Sequence, residues 1–151
     1  MDSAQVTEAI INASMKVHSA LGVGLSEWEY EDGLAGELSR LGLKVERQVV
    51  LPDASGEVRR KQVLGLSLSM EELGGSLNIR QEPLVAGIGE RPDLVVEDSV
   101  IVELKAVKRL RAEHEAQLYS YLKLSRRQVG LLINFHAPDL RDGIKRIINE
   151  L

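Results

Sequence analysis

Hydrophobic residues recur every three or four positions over residues 4–21, and this spacing predicts a first amphipathic helix that ends at Gly22. A second helix is predicted from Ser26, a residue type that often caps helices, to about Leu41. Its apolar stripe repeats at the same helical spacing and includes Leu34. Each predicted helix therefore has one apolar side that can pack against a core.

Shorter apolar runs predict strands in the rest of the chain. One strand is expected over Lys44–Leu51, and residues 53–90 combine apolar residues with glycine-rich connections that predict an inserted β segment. The continuous apolar run Gln128–Phe135 is typical of a strand buried on both faces. Further helices are predicted at residues 112–124 and, as a C-terminal helix, at 138–149. This order predicts an α/β fold with helices packed on one mixed sheet.

The stretch Arg91–Val107 predicts two strands joined by a tight turn. A three-residue turn at residues 97–99, or a bulge, is expected, and with the three-residue turn Asp93 lies opposite Glu103 on one face. Since side chains alternate along a strand, Lys105 lies on that face too. Burial of such charges is costly unless a partner or a metal ion compensates them.

Two explanations of this charged face stay open. Carboxylate oxygens suit magnesium or manganese, so Asp93 and Glu103 are candidate metal ligands. Alternatively, Lys105 offsets the two acids in a cross-strand salt bridge that only supports the fold. On the second helix, Glu27 and Glu31 fall within or beside the apolar stripe, so at least one of them is expected to point inward.

Composition narrows the classes of function. A chain of 151 residues suits one domain, 1–151, and its formal net charge of −4 does not suit a protein that binds nucleic acid over its whole surface. The absence of cysteine excludes Cys-ligated zinc, and three scattered histidines argue against a zinc enzyme. Without a signal peptide or a membrane-spanning apolar run, we expect a cytoplasmic protein with no membrane partner.

Positive charge is concentrated after the predicted hairpin, on both sides of the helix at residues 112–124. His114, Gln117 and Tyr121 share one face of that helix. Such a face, flanked by basic residues, either follows a phosphate backbone or is an ordinary solvated surface. The candidate nucleic-acid-binding residues are Lys108, Arg109, Arg111, Arg126 and Arg127.

The pair Pro92-Asp93, followed by Glu103-Leu104-Lys105, resembles the signature of the PD-(D/E)XK nucleases. Nine residues separate the aspartate from the glutamate. This resemblance implies a restriction-endonuclease-like αβββαβ core. The chain would add an N-terminal helix, a C-terminal helix and the inserted β segment to that core.

The stretch GLSEWEYEDGL resembles the defining motif of the GxxExxxE family, with matches at Gly24, Glu27 and Glu31. Residues 53–90 depart from the resemblance, because the family has a much shorter segment there. We expect this insert to be an added hairpin, a flap for a protein partner or a homodimerisation element. The other segments that resemble the family, in the same order, are VHSALGVGL, LAGELSRLGLKVERQV, RPDLVVEDSVIVELKAV, HEAQLYSYLKL, GLLINF and LRDGIKRIIN.

The resemblance implies hydrolysis of phosphodiester bonds in DNA or RNA with Mg²⁺ or Mn²⁺ as the cofactor. Lys105 would orient the attacking water or stabilise charge on the phosphate. Gln117 would position water or phosphate, and Tyr121 belongs to the same helical motif. The implied metal ligands are the carboxylates of Asp93, Glu103 and Glu31 and the backbone carbonyl of Leu104.

Two alternatives to a nuclease stay open from the sequence. The first is a non-catalytic module that keeps the nuclease fold and binds nucleic acid or another protein. The negative net charge of the chain and its insert favour such a module, whereas the intact set of Asp93, Glu103 and Lys105 favours the enzyme. The second alternative is that the carboxylates form only a structural salt-bridge network.

Overall fold

The computed structural model describes residues 1–51 and 91–151, so the predicted insert at 53–90 lies outside the described residues. One compact unit is formed by Met1–Val49 together with Pro92–Leu151. Its helices are α1 (Ser3–Leu21), α2 (Glu27–Arg40) and α3 (Ala112–Ser125), with a short 3-10 helix at Leu140–Gly143. Its strands are β1 (Val45–Arg47), β2 (Leu94–Val96), β3 (Val100–Lys105), β4 (Val129–Asn134) and β5 (Ile144–Ile148).

The five strands form one mixed sheet in the order β1-β2-β3-β4-β5. The central pair, β3 and β4, is parallel, and the other neighbouring strands are antiparallel. Parallel strands need a crossover connection, which α3 provides between β3 and β4. The sheet with its packed helices confirms the predicted mixed α/β fold.

The three long helices begin and end close to the predicted positions, because local capping agrees with the apolar periodicity. At the start of α1, the carboxylate of Asp2 accepts a hydrogen bond from the backbone N–H of Gln5 at 2.8 Å. At the start of α2, Glu29 accepts a hydrogen bond from the backbone N–H of Ser26 at 3.0 Å. Side chains thus satisfy N–H groups that the helices leave unpaired.

The turn of the β2–β3 hairpin has the predicted three residues, so Val96 pairs with Val100. Two of these turn residues, Glu97 and Asp98, adopt left-handed backbone conformations, with φ of 52° and 55°. The carboxylate of Glu97 accepts a hydrogen bond from the backbone N–H of Lys44 at 2.6 Å, which ties the turn to the start of β1. This turn fixes the register on which the candidate site depends.

The two faces of the sheet pack against different helices. Val102 and Leu104 of β3 belong to the core that α1 and α2 cover, together with Tyr30, which stacks on Phe135 at a centroid distance of 4.7 Å. On the other face α3 approaches closely at Gly130, where an added Cβ would lie 2.9 Å from the side chain of Leu118. Alternate residues of β3 therefore face different helical layers.

The predicted C-terminal helix is wrong. After the 3-10 helix the chain forms β5, which pairs with β4 as an edge strand. Ile144, Ile147 and Ile148 match the three-and-four spacing of a helix, but β-branched side chains favour a strand once a sheet edge is available. The predicted strand at 44–51 is also shorter in the structure, because β1 ends at Arg47.

Among the helices that the structure describes, none has the length and apolar character required to span a membrane.

Candidate active site

Hydrogen bonds connect Asp93 and Glu103 at the open end of the β2–β3 hairpin. The backbone N–H of Asp93 donates a hydrogen bond to Glu103 Oε1 at 2.8 Å, and the backbone N–H of Leu104 donates one to Asp93 Oδ2 at 2.8 Å. These reciprocal hydrogen bonds follow from the register, which places residue 93 opposite residue 103. The structure therefore brings together the two carboxylates that the sequence selected.

Both carboxylates are destabilised in their charged form. Burial, together with the charge of Asp93, raises the pKa of Glu103 from 4.5 to about 8. Burial also raises the pKa of Asp93 from 3.8 to about 6, and the negative charge of Glu31 adds to that rise. Glu103 is only 4% exposed. Negative charge thus exceeds what the neighbouring cations compensate.

Lys105 lies beside this pair and links it to α3. Its Nζ is 3.8 Å from Glu103 Oε2, which is a long ion pair. The same Nζ donates a hydrogen bond to Gln117 Oε1 at 3.3 Å. The alternation along β3 puts Glu103 and Lys105 on one face, and α3 brings Gln117 to that face. Lys105 Nζ therefore lies between the two acids and α3, and it makes no short contact with either Glu103 or Gln117.

Glu31 reaches the same region from α2. It is 7% exposed, although it lies on a helix whose neighbouring acid, Asp32, is exposed. Its Oε2 accepts a hydrogen bond from Arg47 Nε at 2.9 Å. Arg47 also pairs with Asp32 at 3.2 Å. At least one of Glu27 and Glu31 was expected to point inward, and Glu31 does so, whereas Glu27 is exposed.

Gln48, which the sequence alone did not identify as a site residue, joins Glu31 to the hairpin. Gln48 Nε2 donates hydrogen bonds to Glu31 Oε1 at 2.9 Å and to Asp93 Oδ1 at 3.2 Å. A polar residue at a strand end is ordinary in sequence, so no pattern singled it out. Gln48 directly follows β1, which ends at Arg47, and its own backbone is left-handed. This backbone geometry, which the sequence does not show, determines where the side chain of Gln48 points.

Three candidate nucleic-acid-binding residues lie together in the loop between β3 and α3. Lys108, Arg109 and Arg111 line a concave surface of about 740 Å³, together with His114 and, among the described residues, Val107 and Leu110. The buried Asn134 fixes the start of this loop. Its side chain accepts a hydrogen bond from the N–H of Val107 at 3.1 Å and donates one to the carbonyl of Val107 at 2.9 Å.

The structure does not bring Arg126 and Arg127 into this basic loop. They follow α3 and lie beside the turn of the hairpin, at the other end of β3. Arg127 forms an ion pair with Asp98 of that turn at 2.8 Å. The five candidate nucleic-acid-binding residues therefore form two separate groups, because α3 carries the chain from one end of the sheet to the other.

The two other predicted site residues are placed by their elements. Tyr121 lies one helical turn beyond Gln117 on α3 and is buried, at 4% exposure. The N–H and C=O of a strand residue point to the same neighbouring strand. Since the N–H of Leu104 contacts Asp93, the carbonyl of Leu104 faces that side as well. Roles for both residues stay predictions.

The donor set fits a small divalent cation in part. Among residues 1–51 and 91–151, no three His, Cys, Asp or Glu side chains are close enough to form a metal site by themselves. Magnesium, however, is often bound by only one or two carboxylates, with water and substrate phosphate in the remaining positions. Asp93 and Glu103 offer those carboxylates, and their unfavourable charge is of the sign that a cation would relieve.

Comparison with protein-family models agrees with this geometry. The model described as the PD-(D/E)XK nuclease superfamily matches residues 4–63 and 67–147. The comparisons with curated proteins and with solved structures find no match. The family match spans the residues of the hairpin, of α2 and of α3 that surround the paired carboxylates.

Proposed function

This chain belongs to the PD-(D/E)XK nuclease superfamily, and from that premise we propose that it is a divalent-metal-dependent nuclease that hydrolyses phosphodiester bonds of DNA or RNA. One observation carries the proposal. Asp93 and Glu103 lie side by side, Asp93 half-buried and Glu103 buried, and desolvation raises their pKa values to about 6 and about 8. An arrangement that costs stability in this way is typical of a functional site.

In the proposed mechanism, Asp93 and Glu103 hold Mg²⁺ or Mn²⁺, with help from the carbonyl of Leu104 and from Glu31. The bound ion would polarise the phosphate and lower the pKa of a coordinated water. Lys105 is near enough to Glu103, at 3.8 Å, to act on a phosphate that a metal ion at these carboxylates would hold. It would orient the attacking water or stabilise the negative charge that develops on the phosphate.

Gln117 has a supporting part in this proposal. Its Oε1 accepts a hydrogen bond from Lys105 Nζ at 3.3 Å, which fixes the direction of the ammonium group. Its amide NH₂ group can then donate to a phosphate oxygen or to water. We assign Tyr121, one turn further along α3, to the same helical motif as Gln117.

The basic loop at residues 108–111 would bind the phosphate backbone beside the cleavage position. Lys108, Arg109 and Arg111 form no ion pair with the residues that the structure describes, so their charges are available to an anion. His114 Nδ1 accepts a hydrogen bond from the N–H of Arg111 at 2.9 Å, which leaves the other ring nitrogen as a donor toward the concave surface. The loop thus supplies positive charge to an otherwise acidic chain.

A structural salt-bridge network is the competing explanation, and one contact favours it. Arg47 Nε lies 2.9 Å from Glu31 Oε2, so this acid already has a cationic partner. The same explanation fails at Glu103, where Lys105 is 3.8 Å away and the pKa is still raised. A pair that existed only for stability would lower the pKa of its carboxylate.

Four finer assignments belong to the proposal. The first is membership of the GxxExxxE family, which rests on Gly24, Glu27 and Glu31. The other three stay predictions from the sequence: the chain forms a single domain, the protein is cytoplasmic, and a second copy or a protein partner binds at residues 53–90. A non-catalytic binding module of the same fold is the alternative that the following experiment must exclude.

The proposal is tested by incubating the purified protein with single- and double-stranded DNA and RNA. Cleavage is expected with Mg²⁺ or Mn²⁺ and should stop when a chelator removes the metal. Asp93→Asn should lower the rate more than about 1,000-fold, because it removes a charged ligand. Asp98→Asn makes the same chemical change at the exposed turn of the same hairpin and should leave the rate within about twofold.

Two results would contradict the proposal. Equal loss in both variants would mean that the effect comes from the fold rather than from the site. Salt-sensitive binding of nucleic acid without cleavage, in wild type and variants alike, would identify the chain as a non-catalytic module.

A further inference from the structure

The side chain of Gln48 lies between two carboxylates that come from different elements. Its Nε2 donates to Glu31 Oε1 at 2.9 Å and to Asp93 Oδ1 at 3.2 Å, so one amide group uses both of its hydrogens. Glu31 belongs to α2, whereas Asp93 directly precedes β2. The amide therefore joins the helix to the hairpin at the candidate site.

The backbone of Gln48 is fixed by the same residue that its side chain contacts. Its N–H donates a hydrogen bond to the carbonyl of Asp93 at 3.0 Å. Its φ of 50° is left-handed, a conformation that non-glycine residues seldom adopt away from functional or tightly constrained positions. This conformation follows the last residue of β1 and turns the side chain toward the acids.

The amide adds hydrogen bonds without adding charge. A lysine or arginine at this position would also bridge two carboxylates, but its positive charge would oppose a divalent cation. Arg47 holds the other oxygen of Glu31, Oε2, so Gln48 completes the orientation of that carboxylate. A neutral donor is thus the residue type that can order two acids and leave their negative charge for a metal ion.

We propose that Gln48 is a positioning residue for the metal-binding carboxylates, and that it sets the placement of Glu31 relative to Asp93. This inference rests on the proposed function, because it assigns the two acids to a divalent ion. Gln48 acts through these carboxylates and is not itself placed among the reacting groups. Its replacement should therefore lower the affinity for Mn²⁺ even when the metal-free protein is fully folded.

Two variants separate this role from a structural one. Gln48→Gly removes the amide and also relieves the strain of the left-handed backbone. The melting temperature of the metal-free variant should therefore lie at most about 2 °C below that of wild type. Gln48→Met keeps the length of the side chain and removes only its polar group. In both variants, isothermal titration calorimetry should show an affinity for Mn²⁺ that is about 10–100-fold lower than that of wild type.

Gln128→Met is the matched control, because Gln128 is exposed beside β4 and its side chain contacts none of the site residues that the structure describes. It should bind Mn²⁺ within about twofold of wild type. If Gln48→Gly and Gln48→Met bind Mn²⁺ as tightly as the control, the role of Gln48 is overturned while the proposed function stands. If wild type itself binds no Mn²⁺, the proposed function fails, and this inference fails with it.

Discussion

The two ends of the β2–β3 hairpin carry similar charged residues in opposite environments. At the turn, Asp98 is 67% exposed and pairs with Arg127 at 2.8 Å. At the open end, Glu103 is 5% exposed at its side chain, and its nearest cation, Lys105, stands 3.8 Å away. The turn pair resembles many exposed ion pairs that contribute about 0–1 kcal/mol to stability. The open end instead holds a buried and a half-buried acid that its cation does not neutralise.

Glu37 shows that a nearby cation is not what distinguishes the two ends. A hydrogen bond from Arg40 lowers the pKa of this half-buried carboxylate from 4.5 to about 2. Glu103 also has a cationic neighbour, but burial and the charge of Asp93 outweigh it and raise its pKa. Burial beside a second acid therefore separates a candidate site from an ordinary salt bridge.

Lys105→Ala should lower the rate of cleavage by about 100–1,000-fold, because it removes the positive charge that we propose to act on the reacting phosphate. The matched change at an exposed lysine, Lys145→Ala, removes a surface pair with Glu115 and should leave the rate within about twofold. Initial rates with saturating magnesium measure both effects. Wild-type rates in Lys105→Ala, with an intact circular dichroism spectrum, would show that the ammonium group has no catalytic part.

The metal-free protein should lose stability as the pH rises from about 5 to 8. The pKa values of Asp93 and Glu103 are raised in the folded state, so that state binds more protons than the unfolded chain over this interval. The expected loss is on the order of 2–4 kcal/mol in the free energy of unfolding. Urea denaturation at several pH values, in the presence of a chelator, measures it.

Asp93→Asn sharpens this test, since it removes one titrating acid and the repulsion that it exerts on Glu103. At pH 8 the variant should melt higher than wild type without metal and should gain less from added magnesium. Asp98→Asn should keep the wild-type pH profile. A structural salt-bridge network predicts the opposite, with Asp93→Asn less stable than wild type and magnesium without effect on either protein.

The basic residues at the two ends should contribute unequally to nucleic-acid binding. Arg109→Ala, in the loop beside the site, should weaken binding about 3–10-fold at low salt and reduce the salt dependence by about one counterion. Arg126→Ala, beside the hairpin turn, should change the affinity less than about twofold. Fluorescence anisotropy with a labelled oligonucleotide, in calcium to prevent cleavage, compares the two. Equal losses would mean that the bound strand extends over both ends.

The smallest effect is expected at the turn itself. Asp98→Asn breaks an exposed pair with Arg127 and should lower the free energy of unfolding by less than about 1 kcal/mol. The loss should diminish further in high salt, since exposed charges are screened. A loss above about 2 kcal/mol would make the turn pair a structural element of the hairpin and would weaken the contrast with the open end.

The sequence was sufficient for the parts of the fold that local patterns determine. Alternation and a three-residue turn predicted that Asp93 meets Glu103, because one shift in register would move every side chain to the other face. The positions of Glu27 and Glu31 beside an apolar stripe predicted that at least one of them is buried, and Glu31 is. Glu31 and Glu103 lie on regular elements and Asp93 directly precedes one, so their spacing along the chain translates into direction in space.

Tertiary context decided the features that the sequence could not provide. Ile144, Ile147 and Ile148 have helical spacing and still form a strand, because β4 offers them an edge. Arg126 and Arg127 lie in the same basic part of the sequence as the residues of the basic loop, but α3 places them at the far end of the sheet. The contact between Gln48 and Asp93 joins residues 45 positions apart and depends on one left-handed backbone angle.

The most direct test of the central claim is a crystal soaked in manganese and measured at a wavelength where that metal scatters anomalously. We predict an anomalous peak in contact with carboxylate oxygens of both Asp93 and Glu103, at ligand distances of about 2.0–2.2 Å. The same crystal should show no peak at the turn, where Asp98 pairs with Arg127. A site without density between Asp93 and Glu103, with Lys105 closed onto Glu103 in a short ion pair, would contradict the account.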